Sequence, residues 1–186
     1  MSKIKSIVPK NFNRLVLVGE AYGSKEKKLN KPFVGPSGIL LHKLLVVAKI
    51  KPEQCFITNV FMQQPPKNNV LHFYGSKKMY DKSMILPKYE HERIRLFVEL
   101  AKLRPSVVIA LGQTAINTLS SSNKPKINQL MVCGVGMVVR MHHPRYLLYK
   151  QKQPEFTQAL RTLKFARQLA KRLAITGDDY AYEIGT

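Results

Sequence analysis

The sequence predicts an α/β fold: a single-domain, three-layer sandwich with a mainly parallel four-stranded central sheet and helices on both faces. Three observations predict it. Short apolar runs suited to buried strands recur along the chain, segments of helical periodicity separate them, and Gly or Pro punctuates the boundaries. The length, 186 residues, suits one domain with a core of its own. No repeat, low-complexity tract or linker divides it, so residues 1–186 are read as one domain.

Arg14-Leu15-Val16-Leu17-Val18, stopped by Gly19, is the first expected strand. Pro36-Ser37-Gly38 opens an apolar helix over Ile39 to Ala48, with Ser37 as candidate cap. Cys55 to Val60 reads as the second strand. A polar, Pro- and Lys-rich stretch from about 63 to 88 reads as a long basic surface loop. His91 to Leu103 has helical periodicity and ends before Pro105. Ser106 to Leu111 is the third strand, breaking at Gly112 into a helix over Gln113 to Leu119, and Val135 to Met141 is the fourth. A basic closing helix at about 155–174 carries Phe156, Leu160, Leu163, Ala166, Ala170 and Leu173 on one face; Arg161, Lys164, Arg167, Lys171 and Arg172 line the other.

Charge narrows the partner. Thirty-one Lys and Arg against eleven Asp and Glu give a net charge of +20. Neutralising phosphates releases condensed counterions, so such a surface converts into nucleic-acid affinity. DNA, single- or double-stranded, is the expected partner. A membrane surface is not, because no amphipathic anchor, lipidation motif or membrane-length apolar run accompanies the charge. Met1 to Lys5 lacks the apolar stretch of a secretory signal, and Cys55 and Cys133 read as buried thiols. A cytoplasmic monomer is expected.

In parallel sheets ligands bind outside the carboxyl ends of the strands. Those ends hold Gly19-Glu20-Ala21-Tyr22-Gly23, Thr58-Asn59, Gly112-Gln113 and His142-His143-Pro144-Arg145-Tyr146-Leu147-Leu148, with Pro32-Phe33-Val34-Gly35 between the first two. Singly each has a bland reading: a capping acid, a core Phe, a turn Asn, a His-Pro loop. Together, in this order, Gly19 to Gly23, Pro32 to Gly35, Ile57 to Val60 and His143 to Leu148 resemble the uracil-DNA glycosylase superfamily, most closely its family 4. The resemblance covers roughly residues 14 to 150.

It implies a monofunctional DNA glycosylase that flips a pyrimidine out of DNA and hydrolyses its N-glycosidic bond, leaving an abasic site. Glu20 and His143 are the implied catalytic residues. His143 would stabilise negative charge on the departing base; Glu20 would favour positive charge on the sugar or orient water. Ala21, Tyr22, Gly23, Phe33 and Asn59 would bind the base, Phe33 by stacking and Asn59 by its amide. Arg145, Lys150, Lys77 and Lys78 would hold DNA, with Lys152 nearby, and Leu147 would fill the gap left by the flipped nucleotide. Glu26 either lines the pocket mouth or, the favoured reading, is a solvated acid paired with Lys25, Lys27 or Lys28; His142 reads as a structural neighbour.

Family 4 carries an iron–sulfur cluster on four cysteines. This chain has none before Cys55, and the position five after Asn59 is Gln64, so two misplaced cysteines exclude it and no cofactor or metal is expected. Tyr22 stands where the family usually has Pro, and with Gly23 next to it a block at C5 of a pyrimidine must come from elsewhere or not exist. Uracil is the default base. A hydroxymethylated or glucosylated cytosine of phage DNA, with a role in antiphage defence, is the alternative, and a non-catalytic DNA-binding protein is a further one. Gly19 to Gly23 lacks the third glycine of a dinucleotide site, no Walker loop occurs, and no basic insert of the DNA-cross-linking relatives precedes His143.

Overall fold

The computed structural model describes residues 8–120, 126, 130–150 and 153–176; the side chains of Cys133, Tyr149 and Lys150 lie outside the described set, as does Lys152. Five strands, β1 (Leu15–Ala21), β2 (Phe56–Phe61), β3 (Val107–Leu111), β4 (Leu130–Cys133) and β5 (Gly136–Met141), form one sheet in the order β2-β1-β3-β5-β4. The β1–β2, β1–β3 and β3–β5 pairs are parallel. The sheet thus has one strand more than the four expected: β4 pairs antiparallel with β5 across the Gly134-Val135 turn. Two residues of turn suffice for an antiparallel neighbour, whereas each parallel pair needs a crossover.

Residues of β1 alternate between two cores. Leu15 and Leu17 face α2 (Pro36–Val47), α6 (Pro144–Lys150) and α7 (Gln153–Thr176), with Leu41, Leu45, Leu147, Leu163 and Ala166 in the same cluster. Val16 and Val18 face α4 (Glu90–Leu103) and α5 (Gln113–Leu119), with Leu96, Leu100, Ala115 and Ile116. Helices on both faces with a parallel centre make the three-layer sandwich. Two short helices, α1 (Ser24–Leu29) and α3 (Lys77–Asp81), complete the set.

Two local expectations change. Gly35, not Ser37, is the N-cap of α2, because the helix already starts at Pro36, whose fixed φ suits the first helical position. The 63–88 stretch is not a plain surface loop. It contains 3-10 turns and α3, and it buries Phe73, Tyr74 and Tyr80 in the α4–α5 core, with Phe61 and Phe73 rings stacked at 3.9 Å between centroids. Its lysines stay in solvent because the aromatic residues between them carry the anchoring.

Candidate active site

The carboxyl ends of β1, β2 and β5, with the segment after β1, enclose a cleft of about 600 Å³. Glu20, Tyr22, Gly23, Glu26, Phe33 and Asn59 contribute to its wall, and His143, Arg145, Tyr146 and Leu148 close it from the α6 side. Strand order explains the place. The chain leaves β1 for β2 on one side and reaches β3 on the other, so a crevice opens at the end of β1.

Gly19 is what lets two of these side chains converge. It pairs with Asn59 in the β1–β2 register, and a Cβ there would lie 2.3 Å from Asn59 Oδ1 and 2.5 Å from Phe33 Cζ. Phe33 itself has φ +54°, a left-handed conformation unusual for an aromatic residue. It is held by α2, whose Gly38 comes so close that a Cβ would sit 1.8 Å from the Phe33 carbonyl oxygen. Phe33 is thereby nearly buried yet still lines the cleft, its ring 6.1 Å from that of His143 at 30° between planes.

Asn59 is fixed from below. Arg95 on α4 donates through Nη2 to the carbonyls of Asn59 at 2.7 Å and Val60 at 3.0 Å, while Glu92 and Glu99 accept from its Nε and Nη1. The Glu92 carboxylate also accepts from the Met62 amide and the Gln63 side chain. A partly buried cation tied to two carbonyls and two carboxylates has partners for what it loses of its water, which is what makes its partial burial tolerable.

His143 and Glu20 are electrostatically distinct. The Arg145 amide donates to His143 Nδ1 at 3.1 Å, so in the neutral ring Nε2 carries the proton. Burial and the Arg145 guanidinium push the imidazole down to about 4, so it is neutral at physiological pH. Burial lifts the Glu20 carboxyl above the usual range, opposed by a hydrogen bond donated by Thr114 Oγ1 and by the charge of Arg145. The cleft therefore presents a neutral N–H donor and a carboxylate with a built-in burial cost.

Several expected residues take other places. Leu147 is 1 % exposed and belongs to the core between α2 and α7, so it has no free side chain to insert into DNA; Leu148, 37 % exposed, lines the cleft instead. Glu26 is not a solvated acid paired with its lysine neighbours: it lines the cleft, its Oε1 accepts from the Gly35 amide at 2.7 Å, and its carboxylate fills the corner between Gly23 and Gly35. Tyr22 borders the cleft, but its hydroxyl is buried without a hydrogen-bond partner among the described residues, and burial pushes the phenol up to about 12. Ala21 and Gly23 line the cleft as expected, Arg145 stands at its mouth, and His142 stacks on Tyr146 at 4.9 Å. Lys77 and Lys78 lie exposed on α3, Lys77 ion-paired with Asp81. Thr114 and Arg95 were not legible as site residues, since only tertiary contacts bring them there, whereas Glu26 takes the pocket-mouth place that was its less favoured reading.

A four-cysteine cluster does not fit this donor set. Cys55 is buried, takes a hydrogen bond from Asn13 and is pushed up to about 11, and among the described residues no three His, Cys, Asp or Glu side chains form a metal-binding group. Gln64, at the position noted above, donates instead to Ser24 and Asn68.

An aromatic ring, an amide, an imidazole N–H and a carboxyl meet in one cleft of a strongly basic protein, a set that suits the class of DNA glycosylases. The Uracil DNA glycosylase superfamily profile matches residues 7–164. Similar chains include the type-4 uracil-DNA glycosylase of Thermotoga maritima, 29 % identical over 167 residues that cover 86 % of this chain and 79 % of that one. That of Archaeoglobus fulgidus is 29 % identical over 152 residues, 76 % and 70 % of the two chains. The chain belongs to the uracil DNA glycosylase superfamily and acts on DNA as an N-glycosyl hydrolase.

Proposed function

We propose that the protein removes uracil from DNA and leaves an abasic site. The observation that carries this is the meeting of Phe33, Asn59, His143 and Glu20 in one cleft. A base must leave the stack to be attacked, and extrusion into a cleft lets it stack on Phe33 and pair with the Asn59 amide. As the glycosidic bond lengthens, negative charge grows on the base, mainly at O2. The His143 Nε2–H meets that charge without first having to lose a proton, since the ring is already neutral. The Glu20 carboxylate favours the positive ribosyl carbon and orients water toward it; hydroxide ends on C1′ and the free base takes up the remaining proton. The reaction stops at the abasic site.

Arg145 at the mouth, with Lys77, Lys78 and Lys150, holds phosphates. Leu148, with Tyr146 beside it, occupies the space vacated by the nucleotide. The enzyme works as a cytoplasmic monomer in base excision.

One observation favours a second substrate. The cleft, about 600 Å³, is far larger than one pyrimidine ring even with the Glu26 carboxylate filling the corner beside Gly23. This supports a cytosine enlarged at C5 by hydroxymethyl or glucosyl, and then a role against phage DNA. Labelled oligonucleotides carrying uracil, thymine, cytosine, 5-hydroxymethylcytosine or its glucosylated form, treated with alkali after incubation, separate the readings. Cleavage at uracil alone is expected. Cleavage confined to a modified cytosine would replace uracil by that base.

A further inference from the structure

The 63–88 segment reaches the Glu20 carboxylate through side chains. Glu20 points from β1 toward the α5 side of the sheet, in phase with Val16 and Val18, and its Oε2 accepts from Thr114 Oγ1. Thr114 is fully buried at the start of α5, and the Tyr80 hydroxyl lies 3.2 Å from the same Oγ1. A threonine hydroxyl has one proton. Given to Glu20, it leaves Oγ1 as acceptor, so Tyr80 must donate. Both bonds then point the same way, and each polarises the next. The backbone of Tyr80 is pinned independently, its carbonyl accepting from Asn117 Nδ2 at 3.1 Å, while Asn117 accepts from Gln113 at 2.6 Å.

We propose that Tyr80 and Thr114 form a hydroxyl relay that positions Glu20 and sets the pH at which it carries charge. Both are positioning residues, because neither lines the cleft. The proposal rests on Glu20 acting beside the sugar only for its effect on turnover; the relay itself is a property of the fold. The other charged or titratable groups around Glu20 are Arg145 from α6 and Tyr74 from the 63–88 segment, and those around Tyr80 are Tyr74, its ring 5.0 Å away edge-on, Lys77, 4.9 Å above the Tyr80 ring, and Asp81. Arg145 and the relay both favour the carboxylate, whereas burial disfavours it. Docking of the aromatic segment is thus coupled to the charge of the catalytic acid.

The test is carboxyl-carbon NMR titration of protein labelled at glutamate, with the Glu20 signal assigned by its loss in Glu20→Gln. Removing a hydrogen bond to a carboxylate should raise the Glu20 midpoint by about one pH unit in Thr114→Val and about half that in Tyr80→Phe. Thr114→Ser, which keeps the hydroxyl, should titrate as wild type. The acidic limb of the excision–pH profile should move by the same amounts. Unchanged midpoints in both Thr114→Val and Tyr80→Phe would overturn the relay, even with full uracil excision. Shifted midpoints in a protein that excises no base would uphold the relay and overturn the glycosylase assignment instead.

Discussion

At the scale of single residues, burial acts on His143 and Glu20 in opposite senses, and the pH consequences have opposite signs. An unfolded histidine titrates near 6.5, the folded His143 near 4, so between these values the unfolded state binds more protons. Stability from this residue is complete above about pH 6.5 and is lost as pH falls toward 4. The same neutrality predicts that His143→Ala lowers excision by about 10²–10³-fold, the usual cost of one preorganised donor, while DNA binding stays. Glu20 is the reverse case: its raised carboxyl lends stability at low pH that disappears as the group ionises. Glu20→Gln should therefore abolish turnover yet raise Tm at neutral pH by about 2–4 °C, measured by calorimetry. A lower Tm would contradict the assigned burial cost. Phe33, Asn59 and His143 could be singled out because apolar runs locate the strand ends and the motifs at and between those ends stand in the family's order. For Glu26 the sequence left two readings, pocket mouth or solvated acid, because its place depends on the left-handed Phe33 and on the gap between Gly23 and Gly35, which no local pattern encodes.

Among the elements, α6 shows how one residue of phase decides a role. Successive helical residues turn by about 100°, so Leu147 and Leu148 cannot share a face. Leu147 enters the core beside α2 and α7 and Leu148 faces the cleft. Leu147→Ala should cost about 2–4 kcal/mol of stability, with equal activity losses on single and double strands. Leu148→Ala should leave Tm unchanged and weaken excision from duplex more than from single strands, because only a duplex needs its gap filled. Equal losses on both substrates would remove Leu148 from that position. The spacing from His143 could not settle which leucine is free, since the motif does not reveal which face of α6 meets α2. The edge strand β4 escaped sequence reading for a related reason: four apolar residues are too few to show a period. By contrast the helix over Gln113 to Leu119 is found where the sequence places it, and α7 buries Leu163, Ala166 and Ala170 as its periodicity requires.

For the whole molecule, charge and fold divide the work: the sheet edge builds the cleft, and the net charge of +20 brings DNA to it. Because that attraction is counterion release, affinity for an undamaged duplex should fall steeply between 50 and 200 mM salt, by about 10³-fold if six phosphates are contacted. A flat salt response by anisotropy would separate the charge from DNA binding. Arg95 and its carboxylates, rather than a metal cluster, tie the end of β2 to α4, and Gln64 ties the following turn to Ser24. The measurement that goes most directly to the chemistry is release of free base from a uracil-containing duplex, followed by chromatography alongside a count of abasic sites. Wild-type protein should release uracil mole for mole with abasic sites, and His143→Ala should release it about 10²–10³-fold more slowly. Equal release by the two proteins, or abasic sites without free base, would contradict the assignment of the cleft.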